Sequence, residues 1–132
     1  MAEETAKKFI EALHKLEADR DLETITGLFD EAAEVGNVVT NDKNLDPREF
    51  WQSYRDNFDR IESKFRNEII TDSTAALEWT STGTSSDGKE FQYDGVSILE
   101  IDGDKITRFH AYFDANQLGR QIVDEKSKEA NG

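Results

Sequence analysis

The chain has 132 residues, of which 36% are hydrophobic and 34% charged, and its formal net charge is −13; this is the size of one domain with a modest core. The negative charge excludes nucleic acid and anionic membrane surfaces as expected partners, because affinity for phosphates comes mainly from Lys and Arg. The chain has no cysteine and only two histidines, which excludes disulfides, thiolate chemistry and a histidine-rich metal site. We expect neither a metal nor another cofactor.

The sequence carries no sign of membrane targeting. No apolar run approaches the ~20 residues needed to span a bilayer. The acidic start at Glu3 and Glu4 lacks the basic and apolar regions of a signal peptide. We therefore expect a cytoplasmic protein with a single domain over residues 1–132, in which residues 124–132 form a frayed tail.

Two amphipathic helices are predicted in the first third of the chain. Apolar residues recur at three- and four-residue spacing over residues 6–16, which is typical of a helix that buries one face. Asp21 can cap a second helix, which a similar stripe predicts over residues 22–29. Gly36 then opens a short extended segment over residues 35–40.

The third helix has the best-marked start. Asp46 is its predicted N-cap, Pro47 is its first residue, and Glu49 completes a capping box. Apolar residues continue at helical spacing as far as Ile61, so we predict a helix over residues 47–61.

From Lys64 onward the sequence changes to β-branched, aromatic and alternating residues, which are typical of strands. The predicted strands cover residues 65–71, 74–84, 90–101 and 105–113, with turn signals between them. Helices followed by antiparallel strands favour the α+β fold class, with the helices on one face of a curved sheet. A short helical turn through Leu118, Ile122 and Val123 is expected after the last strand.

Several segments carry a resemblance to a known family. They are Leu28-Phe29-Asp30-Glu31-Ala32-Ala33, Leu77-Glu78-Trp79, Thr82-Gly83-Thr84, Asp87-Gly88-Lys89, Gly95-Val96-Ser97-Ile98, Lys105-Ile106 and Ala111-Tyr112-Phe113-Asp114. The chain resembles the SnoaL-like branch of the nuclear-transport-factor-2-like superfamily, with the first segment at the end of the second helix. The resemblance implies a cone: three N-terminal helices packed on a strongly curved, mainly antiparallel sheet, with a pocket at the open end.

The resemblance does not fix a function, because this superfold hosts isomerases, cyclases, hydrolases, dehydratases and non-catalytic proteins. Ketosteroid isomerases of the superfamily use a carboxylate base with a Tyr and a protonated Asp as donors. The corresponding residues here are Asn37, Leu13 and Ser97. An amide cannot abstract a proton and Leu cannot donate one, so that mechanism is excluded. The Asp-Arg-Asp set of the limonene-epoxide hydrolases corresponds to Thr80, Glu78 and Ala111 and is also lost.

The same comparison implies which side chains face the pocket. Positions 37, 78, 80, 82, 93, 95, 97, 111 and 113 should point into the cone. In the last two strands the odd-numbered residues are the more apolar set, which independently supports this phase, in which the odd-numbered side chains point into the cone. They are Tyr93, Leu99, Phe109, Ala111 and Phe113. For residues 74–84 the alternation is ambiguous.

Glu78 is the candidate catalytic residue, because it is the only carboxylate that this phase places inside the cone. A carboxyl group in an apolar cleft should have a raised pKa, as a general acid or base near neutral pH requires. The alternative is the reversed phase, with Leu77 and Trp79 packed inward and Glu78 in water, and the rarity of buried lone carboxylates favours it. The candidate ligand-binding residues are Asn37, Thr80, Tyr93, Ser97 and Phe113. Asn37 and Tyr93 each have a structural alternative, at a strand end and in the core.

Two functions remain open at this point. One is a small-molecule-binding acid/base enzyme of isomerase, cyclase, dehydratase or hydrolase type, acting on a small apolar carbonyl or hydroxy compound. The other is a non-catalytic ligand-binding or dimerisation module. In both cases we expect a homodimer through the convex face of the sheet, because the preferred phase leaves an apolar patch there. Its members are Leu77, Trp79, Val96, Ile98 and Tyr112.

Overall fold

Three helices and five strands follow one another in residues 2–39 and 46–118, which are the residues that the computed structural model describes. The helices are α1 (Ala2–Asp19), α2 (Leu22–Thr26) and α3 (Pro47–Asp56), and the strands are β1 (Phe29–Asn37), β2 (Phe58–Ile70), β3 (Thr74–Ser85), β4 (Glu90–Asp102) and β5 (Lys105–Phe113). The predicted α+β class is confirmed, as are the last three predicted strands. Residues 115–118 form a helical turn. Ile122, Val123 and the tail predicted over residues 124–132 lie outside the described residues.

The five strands form one sheet in the order β1-β5-β4-β3-β2. Strands β2 to β5 are antiparallel neighbours, whereas β1 pairs in parallel with β5 and places Asn37 opposite Ala111. The register shifts between Phe58 and Arg60, and again between Phe65 and Asn67. Such irregularities bend a strand and increase its twist, so they curve the sheet where α1 and α3 contact it.

The second and third helices end earlier than predicted. Helix α2 stops at Thr26 with Gly27 as its C-cap, and Phe29 instead begins β1, where it is buried opposite Ile106. The extended segment predicted over residues 35–40 therefore begins earlier, at Phe29, and ends at Asn37, and residues 38–39 form a bend. Apolar residues at mixed spacing fit either a helix or a buried strand, and pairing with β5 decides for the strand here.

Helix α3 begins as predicted, because the Asp46 side chain accepts a hydrogen bond from the Glu49 backbone N–H at 2.8 Å. It ends at Asp56. Phe58 and Ile61, which were expected on the helix, both lie in β2 and are buried. The bulge after Phe58 lets both side chains face the core although they are three residues apart, which is a spacing that resembles a helix.

An aromatic cluster joins the helices to the sheet. Trp51 of α3 lies 4.9 Å from Phe109 of β5 and 5.9 Å from Phe29 of β1, measured between ring centroids. Phe9 of α1 lies 5.5 Å from Phe109. Tilted and edge-on aromatic pairs at these distances add to the stabilisation from burial. The cluster therefore fixes α1 and α3 over the parallel pair of strands.

Within residues 2–39 and 46–118, no helix combines the length and the apolar character that crossing a membrane requires.

Candidate ligand-binding site

A cavity of about 200 Å³ lies between the helices and the sheet. Its apolar lining is mostly aromatic and includes Phe9, Phe50, Trp51, Trp79, Phe109 and Phe113. Its polar lining includes Asn37, Tyr54, Ser63, Ser81, Tyr93 and Ser97. Apolar walls with a few placed polar groups are the usual composition of a small-molecule site.

The mouth of the cavity is marked by lining residues that are also exposed to solvent. They are Val39 after β1, Ser53 on α3 and Asn57 at the end of α3. Ser63 and Ser81 are 3% and 1% exposed, so they lie at the interior end. Among the described residues, the exposed part of the lining therefore lies just after β1 and along α3, and the two serines belong to its buried part.

Four of the predicted ligand-binding residues lie around this cavity: Asn37, Tyr93, Ser97 and Phe113. The rings of Tyr93 and Phe113 are 5.3 Å apart. The Ser97 hydroxyl accepts a hydrogen bond from the indole Nε1 of Trp79 at 2.9 Å, and the Asn37 side-chain oxygen accepts one from the backbone N–H of Val39 at 2.9 Å. Ser97 and Asn37 thus hold the wall in place as well as lining it.

Glu78 and Thr80 lie on the opposite face of the sheet, so their expected placement inside the cone is wrong, and the same holds for Thr82. Leu77 and Trp79 are buried at 0% and 6% exposure, because alternation along β3 puts the two apolar side chains in the core. Glu78 accepts a hydrogen bond from Asn67 on the outer face. Thr80 donates one to Asp94 there, at 2.6 Å. The cavity-facing residues of this strand are Trp79 and Ser81.

A carboxyl group that we did not predict lies behind the interior end of the cavity. Glu17, near the C-terminal end of α1, is only 5% exposed. It accepts hydrogen bonds from the Ser63 backbone N–H at 2.9 Å, from the Ser63 hydroxyl at 2.6 Å and from the Tyr54 hydroxyl at 2.8 Å. The Ser63 hydroxyl is also 2.6 Å from the Ser81 hydroxyl. Four side chains from α1, α3, β2 and β3 thus form one buried polar network.

Burial raises the pKa of Glu17, and the hydrogen bonds from Ser63 and Tyr54 oppose that effect. The pKa of Tyr54 is raised well above its ordinary value by burial and then by the negative charge of Glu17. Burial and the same charge raise the pKa of Tyr93. Both phenols are therefore hydrogen-bond donors over the physiological range, and Glu17 is the group in this network whose protonation can change.

The position of Glu17 had a sequence signal. It lies four residues after Leu13, on the stripe that predicted the buried face of α1. Tyr54 lies four residues after Phe50 on α3 in the same way. The serines had no such signal, because hydroxyl residues are common in strands and only the fold shows which of them meet.

The two histidines lie away from the cavity lining. His14 donates a hydrogen bond from Nε2 to the Ser63 carbonyl at 3.0 Å, which helps to hold β2 against α1. The His110 ring lies against the tilted ring of Tyr112 on the outer face, with 4.5 Å between the ring centroids, and burial followed by the charge of Arg108 lowers the pKa of His110. Among the described residues, no group of three or more His, Asp or Glu side chains is arranged to hold a metal ion.

The fold has the helices and curved sheet of a cone with a cavity between them, and comparison with known proteins gives the family. A model of the SnoaL-like domain matches residues 6–109, so the chain belongs to that family. A search of curated proteins gave no significant match.

Solved structures share the fold across nearly the whole chain. A putative isomerase from Rhodopseudomonas palustris is 15% identical with a TM-score of 0.80, covering 94% of this chain and 99% of that one. An NTF2-like protein from Anabaena variabilis is 16% identical with a TM-score of 0.77, covering 89% and 92%. An LEH-like epoxide hydrolase from M. tuberculosis is 17% identical with a TM-score of 0.70, covering 91% and 90%. At these identities the likeness establishes the fold alone. The activity has to be inferred from the residues of the site.

Proposed function

We propose that this protein binds a small, mainly apolar molecule with a hydroxyl or carbonyl group in the cavity, and that the bound molecule undergoes acid/base chemistry there. The observation that carries the proposal is the cavity itself, with aromatic walls and hydroxyl groups gathered at its interior end. The polar group of a ligand would face Ser81, Ser63 and Tyr54, and its apolar part would contact the aromatic side chains.

The volume sets the size of the ligand. An engineered apolar cavity of about 150 Å³ accommodates benzene, and this one measures about 200 Å³. A compound with one ring and a few substituents is therefore the expected size. Larger polycyclic molecules would need the cavity to widen at its mouth.

A non-catalytic binding protein is the second candidate, and one observation favours it. Among the described residues that line the cavity, none is Asp, Glu, His, Lys or Arg. Acid/base chemistry then depends on Glu17, which lies one hydrogen bond behind the cavity wall. If Glu17 only holds α1 against the sheet, we expect the protein to bind its ligand without converting it.

Tryptophan fluorescence provides the test, because both tryptophans of the chain, Trp51 and Trp79, line the cavity. We expect single-ring phenols and ketones to change the emission with saturation, whereas aliphatic diols should not. Ala111→Leu should weaken this binding by filling space at the wall. Glu78→Gln is the matched control on the outer face and should bind like the wild type. Equal titrations for wild type and Ala111→Leu would exclude this cavity as the site.

We also propose a homodimer through the convex face, although with a smaller apolar patch than expected. Leu77 and Trp79 are buried and cannot contribute to it. Val96 pairs with Tyr112 across β4 and β5, and Ile98 pairs with His110 beside them. Tyr112 is 46% exposed, so pairing two such faces would remove its ring from water. A cytoplasmic location also stays a prediction.

A further inference from the structure

Three hydroxyl groups connect the cavity to the buried carboxyl group of Glu17. From the cavity wall, the Ser81 hydroxyl is 2.6 Å from the Ser63 hydroxyl, which is 2.6 Å from Oε2 of Glu17. The Tyr54 hydroxyl reaches the same Oε2 at 2.8 Å. Glu17 does not itself line the cavity; together with His14 it lines a cleft on the other side of the network. The carboxyl group can therefore communicate with a ligand only through these hydroxyls.

The hydrogen bonds have a defined direction when Glu17 is ionised. A carboxylate only accepts, so the Ser63 hydroxyl must donate its single proton to Glu17. The Ser63 oxygen then accepts from Ser81, whose single proton is used in that bond. What Ser81 offers to the cavity is consequently a lone pair. The interior end of the site is thus built to accept a hydrogen bond from a ligand that carries an O–H group.

We propose that Glu17 is the terminal proton acceptor for an acidic hydroxyl compound, a phenol or an enol, that binds with its O–H against Ser81. This inference rests on the proposed function and deepens it. The ligand O–H bond breaks as a Ser81 O–H bond forms, the original Ser81 proton passes to Ser63, and the original Ser63 proton passes to Oε2 of Glu17. The electron pair stays on the ligand oxygen, which becomes a phenolate or an enolate. No oxidant, reductant or further reactant is needed.

The surroundings of Glu17 favour this transfer. The groups that act on its charge are His14 on α1, Tyr54 and Arg55 on α3, and Tyr93 on β4. Arg60, Glu62 and Lys64 of β2 line the same outer cleft. In this structure no salt bridge joins Glu17 to any described cation within 4.0 Å. Its partners are hydroxyl and amide donors, and burial raises its pKa, so the carboxylate has a higher proton affinity than an exposed one.

After the transfer, the ligand anion faces donors. Ser81 has reversed its role and donates its new proton back to the ligand oxygen. Tyr93 also lines the cavity, and burial keeps its hydroxyl protonated by raising its pKa. Preformed donors at the place where charge develops are what stabilise such an anion. Ser81 is the residue that would exchange the proton with the ligand. Ser63 also lines the cavity, whereas Glu17 does not and acts through the hydroxyls.

The test uses p-nitrophenol, whose absorbance distinguishes the phenol from the phenolate. It is added to the full-length protein at a pH where the free probe is mostly protonated, and tryptophan fluorescence measures binding separately. In the wild type we expect the bound probe to show the phenolate band. As the pH falls further, the band should decline, because a second proton from solvent then protonates the phenolate while Glu17 keeps the first. Glu17→Gln should keep the fluorescence change and lose the phenolate band.

Variants at the hydroxyl groups between the cavity and Glu17 distinguish a proton relay from a purely structural role. Ser81→Ala should lose the band, and Ser81→Thr, which keeps a hydroxyl, should restore it. Glu78→Gln, on the outer face of the sheet, is the control and should leave both the fluorescence change and the band unchanged. If Glu17→Gln does not fold, the comparison of Ser81→Ala with Ser81→Thr still tests the relay. In both of these variants Glu17 keeps its hydrogen bonds to Tyr54 and Ser63.

Each outcome bears on one of the two proposals. No fluorescence change with p-nitrophenol or any other single-ring compound would contradict the binding function. Binding with only the phenol spectrum in the wild type would overturn the relay while leaving the binding site intact. A phenolate band that persists in Glu17→Gln or Ser81→Ala would overturn the relay as well.

Discussion

Trp79 on β3 packs directly against Gly95 on β4, its partner in the antiparallel ladder. A Cβ atom added at Gly95 would lie 2.5 Å from Cζ2 of the Trp79 indole and 2.7 Å from the backbone oxygen of Tyr112. The space above Gly95 is thus occupied by the indole ring. This close approach sets the position from which Trp79 donates its hydrogen bond to Ser97. One wall of the cavity therefore depends on residue 95 being a glycine, which has no side chain.

Replacing Gly95 with Ala should therefore destabilise the protein and alter the cavity. Overpacking a tight site costs typically about 1–3 kcal/mol, and the indole has to move to relieve the contact. We expect a lower thermal midpoint and a shifted tryptophan emission. Gly36→Ala is the control, because a Cβ there meets only the His110 ring at ordinary contact distance, 3.7 Å. Equal stability of the two variants would contradict this account of the wall.

Glu17→Gln should change how stability depends on pH. Because the pKa of Glu17 is raised from its ordinary value of 4.5 in the folded protein, the folded state holds this proton more tightly than the unfolded state. Its contribution to stability is fully present below 4.5 and is lost as the pH rises through the folded-state pKa. The difference in unfolding free energy between wild type and Glu17→Gln should therefore fall with rising pH over that window. Urea denaturation of both proteins from acid to neutral pH measures it, and a flat difference would argue against a raised pKa.

Glu78→Gln should leave both ligand binding and stability almost unchanged. The side chain lies on the outer face and its partner there is Asn67, which can also hydrogen-bond an amide. Substitutions at such surface positions usually change stability by less than about 0.5 kcal/mol. Chemical denaturation and the fluorescence titration check this directly. A loss of binding in Glu78→Gln would mean that the outer face contributes to the site.

Tyr112→Asp should dissociate the proposed homodimer. The substitution places a charge beside Val96 and Ile98 on the face that we expect to be buried, and the formal charge of −13 on each chain adds to the repulsion. That repulsion is screened beyond about 8 Å at physiological salt, so the wild-type dimer should weaken at low ionic strength. Sedimentation at two salt concentrations distinguishes these states. A wild-type chain that sediments as a monomer at ordinary salt would disprove the dimer. Trp79, which we expected on this face, does not provide such a test, because its indole belongs to the cavity wall.

The sequence predicted the fold well where local chemistry decides it. The cap at Asp46 and Pro47 places the start of α3 to the residue, because the signal lies in neighbouring side chains. The prediction was wrong at Phe29 and Phe58, because strand pairing with distant residues overrides the local spacing there.

The candidate site was harder to predict, because it depends on phase and on contacts between distant elements. Glu78 and Trp79 are neighbours, so a shift by one residue exchanges the cavity face for the outer face. Burial of the apolar pair Leu77 and Trp79 decides between the two phases. The contact between Glu17 and Ser63 joins residues far apart in the sequence, so no local sequence pattern predicts it.

The parallel pairing of β1 with β5 has a consequence for synthesis and folding. The first strand finds its neighbour only when the last one has been made, since Val35 pairs with Phe109. Until β5 has been made, Phe29 and Val35 of β1 have no neighbouring strand to pair with. Contacts between residues this distant in sequence slow folding. A nascent or truncated chain that stops before Lys105 would hold these apolar residues and an open strand edge exposed, which is a known route to aggregation. Ribosome-bound chains that end near Asp104 should therefore remain sensitive to protease throughout the N-terminal half, and they should become resistant only after β5 emerges.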